Sequence, residues 1–378
     1  MDLQEIRRQI DGVDDGLSEL FVRRMNLSGE VAKEKAARHL PLQDSERERE
    51  IVCRLTEGLD DEMAGYVQLL YTDIFNMSKT HQSAALAAPS AVAAQIDKAL
   101  AETPPLMPKS AVVACQGMEG ANSAAACEKM FARPSILYMT TFEGVFSAVE
   151  KGLCRYGVLP IENSLHGSVT NIYDHMKNYR FYIVQSIKLK INHALLAKPG
   201  VTLGQVKKIY SHEQALAQCS AFLGDLKAEI VPCENTAAAA KMVAEAGGNA
   251  AAAISSADCA DLYGLVVLQD NIQNSDNNYT RFICISKQME IYPGANKVSL
   301  MMTLPHKPGA LYHLMAKFAA LGINLTKLES RPIPGSDFEF MFYFDFEVSV
   351  YDKAVERLLA ELEADGDRFQ FLGCYSEL

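Results

Sequence analysis

The chain has 378 residues, of which 49% are hydrophobic and 22% are charged, and its formal net charge is -11 at pH 7. This length is long for one hydrophobic core and predicts two or three domains of ordinary globular composition. The acidic balance and the lack of a long Lys/Arg block argue against nucleic-acid binding, because such binding depends on many basic contacts to phosphate.

The cysteines and the amino terminus bear on the compartment. Nine cysteines occur without a C-x-x-C pair or a histidine at ligand spacing, so neither a disulfide framework nor a metal site is expected. The stretch MDLQEIRRQIDGVDD is charged and amphipathic, unlike a signal peptide, and nowhere do about 18 apolar residues run together. We therefore expect reduced thiols, a cytoplasmic location and no membrane partner.

Residues 1–83 show helical periodicity only, in three pieces at about 3–38, after Pro41, and at about 61–83. The apolar face of the first piece continues into Arg24 and Lys35. A single cation at the edge of an apolar stripe usually extends its charged end into solvent. Two cations on one face, with polar companions on the other helices, favour a second interpretation, a site for a small anion.

The companions lie on the next two helices. Asp44 is the expected N-cap of the second helix, and Arg47 and Glu48 follow on one face. The apolar stripe of the third helix ends in Ser78 and Gln82. Three helices that share this polar patch would surround an anion with charged and neutral hydrogen-bond donors.

Arg7 is too far away to join this patch within one chain. It precedes Arg24 by 17 residues, which is about 25 Å along a helix. If Arg7 serves such a site, it must come from another chain, and a helix this long also favours an interlocked dimer.

Residues 1 to about 83 resemble the all-helical chorismate mutases. The order and spacing of their active site match eight positions of this sequence: Arg7, Arg24, Lys35, Asp44, Arg47, Glu48, Ser78 and Gln82. The resemblance implies an all-α three-helix bundle that forms an intertwined dimer. It also implies that Arg47 and Glu48 help to place the ring hydroxyl of chorismate.

The same resemblance implies roles for four further side chains. Arg24, together with Arg7 of the partner subunit, would bind the two carboxylates of chorismate, while Lys35 and Gln82 would donate to its ether oxygen. This pericyclic rearrangement needs no nucleophile or proton transfer, so conformational restraint and charge stabilisation are sufficient.

Residues 84–109 are rich in small residues and end in three prolines, so we expect a partly helical linker. From 110 to 290 short strand patterns alternate with helices, which predicts an α/β domain with mostly parallel strands. We expect the strand in VLPIENSLHGSV to end at Pro160, so that Glu162, Asn163 and Ser164 fall on the following loop.

Polar residues cluster in VLPIENSLHGSV, IYSHEQALAQCSAFL and NNYTRF. The candidate site residues in these stretches are Glu162, Asn163, Ser211, His212, Gln218 and Thr280. Simpler interpretations exist, because Asn163 and Ser164 can shape a turn and Ser211 can cap a helix. Neighbouring Ser211 and His212 do not indicate a hydrolase triad, since adjacent side chains diverge.

Residues 111 to 287 resemble prephenate dehydratase through PIENS, YSH and TRF in this order. The resemblance implies a two-lobed α/β domain that removes carboxylate and ring hydroxyl from prephenate. Hydroxide leaves poorly, so a donor must assist, and Thr280 is the first candidate, followed by Glu162 and His212. The residues implied to hold the substrate are Asn163, Ser211 and Gln218.

Residues 296–378 predict the order βαββαβ in an α+β domain. Through HKPGALYHL and LESRP this part resembles an ACT regulatory domain. By itself PGAL is an ordinary strand-to-helix turn. The resemblance implies that L-phenylalanine binds between paired domains as a feedback inhibitor. The implied effector-binding residues are Gly309, Ala310, Leu311, Glu329 and Ser330.

The order of these three parts resembles the bifunctional chorismate mutase/prephenate dehydratase family. That resemblance implies an enzyme of phenylalanine biosynthesis with chorismate and prephenate as substrates, no cofactor, and a homodimer or homotetramer. A two-lobed binding protein without chemistry is one alternative, and a chain with only one active catalytic domain is another. The polar groups present in both catalytic parts favour the bifunctional enzyme.

Overall fold

The structure is a computed structural model that describes residues 2–38, 40, 44–86, 90–248, 250–333, 335, 339–365 and 368–378. It begins with the three helices expected from the sequence: α1 (Leu3–Ala37), α2 (Ser45–Thr56) and α3 (Asp61–Leu86). The Asp44 carboxylate accepts a hydrogen bond from the Arg47 amide at 3.0 Å, which confirms the predicted N-cap of α2. No helix in the described ranges is both long and apolar enough to cross a bilayer.

The contact of α1 with α3 uses small residues of α1. Ser28, Gly29 and Ala32 are the buried positions of this helix, and their size lets the two backbones approach closely. The predicted apolar stripe of α1 lies elsewhere and stays exposed within one chain, from 40% at Ile6 to 63% at Leu20. One chain by itself therefore leaves this stripe uncovered.

The expected linker contains the helix α4 (Ala91–Glu102). Its apolar residues Val92, Ile96 and Ala99 recur at helical spacing and join the core of the carboxy-terminal domain. The Ser90 hydroxyl caps the helix and donates to the Glu363 carboxylate at 2.6 Å. This segment thus packs as part of the last domain.

The middle domain has two lobes, each built on one sheet. The first lobe contains β1 (Ser110–Gln116), α5 (Asn122–Met130), β2 (Arg133–Met139), α6 (Phe142–Glu150), β3 (Tyr156–Asn163), β4 (Gly167–Ser168), α7 (Thr170–Met176), β5 (Tyr182–Lys190) and β11 (Tyr279–Ser286). The second contains β6 (Ala194–Ala197), β7 (Lys208–His212), α8 (Glu213–Gln218), α9 (Ser220–Gly224), β8 (Glu229–Cys233), α10 (Thr236–Glu245), β9 (Ala251–Ser255), α11 (Asp258–Tyr263) and β10 (Val266–Gln269).

Both sheets are mixed, so the prediction of mostly parallel strands was wrong. β1 pairs in parallel with β2 and β3, as β7 does with β8 and β9. β11 is antiparallel to β3 and β5, and β6 is antiparallel to β9 and β10. Parallel neighbours are joined by a crossover helix that returns the chain to the same end of the sheet. β11 is antiparallel because the chain enters the first sheet at that strand from the other lobe.

The strand β3 also corrects an expectation, because it continues through Pro160 to Asn163. Its pairing with β11 shifts register between Arg281 and Phe282, where Glu162 and Pro160 are their partners. A proline lacks the amide proton that a regular ladder needs, and a bulge accommodates it. Glu162 and Asn163 therefore belong to a strand end, while Ser164 lies beyond it.

The carboxy-terminal domain has the predicted order βαββαβ. Its elements are β12 (Lys297–Thr303), α12 (Ala310–Ala320), β13 (Asn324–Pro332), β14 (Phe340–Glu347), α13 (Lys353–Asp365) and β15 (Phe369–Glu377). The antiparallel sheet has the order β13-β14-β12-β15, and β15 pairs in parallel with β5. This pairing joins the domain and the first lobe in one sheet of ten strands.

Both faces of β14 are buried from Tyr343 to Phe346, and successive side chains point to opposite sides of the sheet. Phe344 and Phe346 belong to the core under the helices of the carboxy-terminal domain. Tyr343 points to the opposite side and packs edge-on against Tyr173 of the first lobe, with ring centroids 5.0 Å apart. The first lobe thus covers the sheet face that the helices leave open.

Candidate active sites

Arg24 is held inside the helical bundle. Its Nη1 donates to Ser78 Oγ at 2.5 Å, and its guanidinium lies 5.5 Å from the centroid of the Phe75 ring. Burial lowers the pKa of Arg24, yet an arginine remains charged at neutral pH. A partly desolvated cation between α1 and α3 is therefore available to an anionic ligand.

Gln82 is buried one turn beyond Ser78 on α3. Its Nε2 donates to Ser28 Oγ at 2.8 Å, and its Oε1 has no hydrogen-bond partner among the described residues. Buried polar atoms are nearly always paired, so an unpaired one is a mark of a functional position. Ser28 Oγ in turn donates to the Ser78 backbone carbonyl at 3.3 Å, so Arg24, Ser78 and Gln82 belong to one polar group that Ser28 links.

Glu48 and Arg47 form ion pairs with residues outside this group. The Glu48 carboxylate pairs with Lys79 Nζ at 3.1 Å, and Arg47 is exposed and pairs with Glu50 at 2.9 Å. Lys35 is half-buried, whereas Arg7 is exposed. Within one chain the structure does not bring Arg7 or Arg47 to Arg24.

In the middle domain Asn163 is the centre of a buried polar network. Its Nδ2 lies 2.9 Å from Asn278 Oδ1 and 3.0 Å from Thr280 Oγ1. Its Oδ1 accepts from the backbone amides of Leu165 at 3.0 Å and of His166 at 3.1 Å. Asn163 therefore holds Thr280 and also shapes the turn after β3, so both interpretations of this residue apply.

The second lobe joins the network through Gln218. Its Oε1 accepts from Asn278 Nδ2 at 3.0 Å and lies 2.7 Å from His193 Nε2. Burial lowers the pKa of His193, so the ring is neutral at pH 7 and donates through Nε2. Gln218 Nε2 also contacts the His166 ring at 3.2 Å. The polar groups of both lobes thus form one hydrogen-bonded network where the lobes meet.

Ser211 and His212 lie outside this hydrogen-bonded chain in the described residues. The Ser211 hydroxyl is buried and donates to the Ile254 carbonyl at 2.7 Å. His212, rather than Ser211, caps α8, because its Nδ1 accepts from the Gln214 amide at 3.2 Å.

Glu162 faces the carboxy-terminal domain. Its Oε1 accepts a hydrogen bond from Lys327 Nζ on β13 at 2.7 Å. The neighbouring Glu329, one of the expected effector residues, accepts from Ser168 Oγ at 2.7 Å. Ser330 lies on the opposite, exposed side of β13.

The other three effector candidates lie at the start of α12. Gly309 adopts a positive φ of 81°, which favours glycine. Ala310 and Leu311 line a cavity of about 410 Å³ together with Phe340 and Phe342. One chain therefore presents the expected effector residues in two separate places, around this cavity and on β13.

The residues predicted from the sequence do not include several members of the dehydratase network. Asn278 and His166 lie inside the quoted stretches NNYTRF and VLPIENSLHGSV, so their position beside candidates was a usable signal. His193 follows β5 without any motif. Lys327 also went unnoticed, because its partner Glu162 is 165 residues away in the chain.

Comparison with known families matches two parts of the chain. Residues 6–83 match the family model described as chorismate mutase type II, and residues 113–290 match the one described as prephenate dehydratase. These ranges contain the polar group of the helices and the hydrogen-bonded network of the two lobes.

Individual proteins extend this similarity. The chain is 32% identical to the bifunctional chorismate mutase/prephenate dehydratase of Escherichia coli, over 99% of this chain and 96% of that protein. It is 38% identical to arogenate dehydratase/prephenate dehydratase 1 of Arabidopsis thaliana, over 70% of this chain and 71% of that protein. The crystal structure of prephenate dehydratase from Arthrobacter aurescens with L-Phe has a TM-score of 0.65 and 31% identity, covering 70% and 89% of the two chains.

Proposed function

Since the chain belongs to the bifunctional chorismate mutase/prephenate dehydratase family and has both activities in phenylalanine biosynthesis, we propose that each activity has its own site. Residues 1–83 form the mutase, residues 110–290 form the dehydratase, and residues 296–378 form an ACT regulatory domain. Chorismate is rearranged to prephenate in the first site, and prephenate is converted to phenylpyruvate in the second.

In the mutase site Arg24 binds one carboxylate of chorismate. Arg7 of the partner subunit binds the other. Gln82 and Lys35 donate hydrogen bonds to the ether oxygen, on which negative charge grows as the C–O bond breaks. Ser78 orients Arg24 through the 2.5 Å hydrogen bond. Asp44 starts α2, and Arg47 and Glu48 at the start of that helix place the ring hydroxyl.

The exposed stripe of α1 supports a homodimer as the smallest unit. Leu3, Ile6, Ile10, Val13, Leu17 and Leu20 are each at least 40% exposed in one chain. A contiguous apolar surface of this extent on a long helix marks a protein interface. A second copy that covers the stripe also brings its own Arg7 toward Arg24. The same contact, combined with pairing of ACT domains, would give a homotetramer.

In the dehydratase site prephenate loses its ring carboxylate as carbon dioxide and its ring hydroxyl as water. The electron pair of the breaking C–C bond enters the ring, and the C–O bond pair leaves with oxygen, which takes up a proton. Thr280 donates to the departing oxygen. Asn163 positions the Thr280 hydroxyl for this role, since Asn163 Nδ2 lies 3.0 Å from Thr280 Oγ1. Glu162 and His212 assist, while Asn163, Ser211 and Gln218 hold the substrate.

Feedback inhibition by L-phenylalanine is the proposed role of the carboxy-terminal domain. The relative from Arthrobacter aurescens was crystallised with L-Phe. In this chain the cavity beside Gly309, Ala310 and Leu311 has the apolar lining that a phenyl ring needs. Glu329 and Ser330 lie outside its lining, so a second chain would complete the effector site.

The arrangement of the nine cysteines supports a reducing compartment, and we propose the cytoplasm. All nine are free, and seven of them are buried. Free, buried thiols are usual in proteins of reducing compartments.

The observation that carries the proposal is the presence of two separate polar groups, one at Arg24 and one at Asn163. The test is a pair of substitutions in the full chain. Arg24→Ala should lower mutase activity at least about a thousandfold and leave the dehydratase unchanged. Thr280→Ala should do the reverse. If either variant lost both activities while remaining folded, separate sites would be excluded.

A further inference from the structure

Three side chains on one face of β13 are directed at the dehydratase domain. Lys327, Glu329 and Arg331 alternate along the strand, so their side chains share a face. Lys327 contacts Glu162, Glu329 accepts from Ser168, and Arg331 pairs with Asp174 at 2.6 Å. The residues between them, Leu328 and Ser330, are exposed.

Lys327 makes the most buried of these contacts. Its Nζ donates to Glu162 Oε1 and to Ser168 Oγ, both at 2.7 Å, and lies 4.0 Å from Glu329 Oε2. The side chain of Lys327 is 13% exposed, against 34% for Glu162. A short charge-assisted hydrogen bond from a largely buried ammonium group is among the stronger contacts that a carboxylate makes.

The backbone of Glu162 is already fixed by its neighbours. It pairs with Arg281 of β11 on one side and with Ser168 of β4 on the other. The remaining freedom of Glu162 lies in its side-chain rotamers, and Lys327 restricts these. The next pair in the ladder joins Asn163 with Thr280, so the orientation of Glu162 is set beside the proposed donor.

We propose that Lys327 of the carboxy-terminal domain is a positioning residue for the dehydratase reaction. It acts through Glu162, so the inference rests on the function proposed above for that carboxylate. Its ammonium group keeps the Glu162 carboxylate oriented, and Ser168 holds the ammonium from the other side. The regulatory domain thereby supplies part of the dehydratase site, in addition to its proposed binding of an effector.

The test compares variants of the full chain in steady-state dehydratase assays with prephenate. Lys327→Met removes the charge at similar length, and Lys327→Arg keeps a donor. Arg331→Met is the matched control, because Arg331 joins the same two domains from the same face of β13 without contacting Glu162. Glu162→Gln, alone and combined with Lys327→Met, completes a double-mutant cycle. Circular dichroism and the urea midpoint of each variant report whether the chain is folded.

We expect Lys327→Met to lower kcat about tenfold with KM within about twofold, because the lost orientation matters in the transition state. Lys327→Arg should keep activity within about threefold, and Arg331→Met should equal the unmodified chain. In the Glu162→Gln background Lys327→Met should add nothing.

Two results would overturn the inference. One is a Lys327→Met variant as active as the unmodified chain, when Glu162→Gln is impaired. The other is a tenfold loss of kcat that Lys327→Met causes equally in the unmodified chain and in Glu162→Gln. Such an additive loss would show that the contact of Lys327 is purely structural. A fully active Glu162→Gln variant would instead refute the proposed function of Glu162, and this inference with it.

Discussion

Gln82 is an uncharged donor in the proposed mutase site, and this sets the pH dependence of the reaction. A carboxamide does not titrate, so the mutase rate should be nearly flat across neutral pH. In Gln82→Glu the side chain donates only when protonated, and its ionised form repels a dianion. This variant should be about a hundredfold slower at neutral pH and should recover toward about pH 4.

The measurement is the mutase rate of both proteins across this pH range. Gln68→Glu is the matched control, because Gln68 lies exposed on the same helix. A rate of the unmodified chain that changes steeply near neutral pH, with the same profile in Gln82→Glu, would remove Gln82 from the mechanism.

For single residues, the sequence predicted a role correctly where the partner is close in the chain, and it suggested a role where a known motif is present. The Asp44 cap was predictable because its hydrogen bond spans three residues. The contact between Gln218 and His193 was not, because it depends on how two lobes meet. For Arg47 the helix was predicted correctly, but the position of the side chain was not. It contacts Glu50 instead of the other candidates.

The elements show where tertiary contacts override local pattern. The three helices of residues 1–83 and the order βαββαβ follow the sequence periodicity, since both depend on which face is apolar. The strand β3 was shortened in the prediction, because a proline usually ends a regular ladder. Strand direction was also mispredicted, because it depends on the path between the two lobes.

Gly373 in β15 provides a test at the scale of elements. Its φ is 143°, and a Cβ atom at this position would meet the Ile183 carbonyl oxygen of β5 at 2.2 Å. The backbone must shift to relieve that contact, so Gly373→Ala should lower the free energy of unfolding by about 3 kcal/mol or more. Urea denaturation measures the effect.

The control is Gly204→Ala, because Gly204 is exposed and a Cβ there meets nothing within 4 Å. This variant should be within about 0.5 kcal/mol of the unmodified chain. Equal stability of the two variants would contradict the close packing of β15 on β5.

For the whole molecule, the contact between the carboxy-terminal domain and the first lobe rests on a buried group of charges. Arg281 is 7% exposed and pairs with the fully buried Asp345. The carboxylate of Glu377 contacts Arg281, Lys188 and Lys297. Arg281 directly follows Thr280, so this group also braces the strand that carries the proposed donor. Its members come from distant segments, which is why the sequence did not reveal it.

Glu377 makes this contact sensitive to acid. Burial alone raises the pKa of Glu377, but hydrogen bonds from Lys188 and Lys297 and the charge of Arg281 outweigh it and lower the pKa from 4.5 to about 2. The unfolded chain therefore binds a proton at higher pH than the folded one. The stability due to this carboxylate is complete above pH 4.5 and is lost as the pH falls toward about 2.

Glu377→Gln should thus be less stable than the unmodified chain by about 1 to 3 kcal/mol at neutral pH. The difference should shrink on acidification below pH 4.5. Urea midpoints of both proteins over this pH range provide the measurement. A difference that is independent of pH would show that the ionised carboxylate is not what stabilises the contact.

The central claim is that the mutase site is shared between two copies of the chain, and subunit mixing tests it most directly. Arg7→Ala and Arg24→Ala should each be inactive as mutases alone. In a mixed dimer one site carries both substitutions and the other carries neither. Random exchange should therefore restore about a quarter of the normal mutase activity. No recovery in demonstrably mixed dimers that keep dehydratase activity would contradict the account.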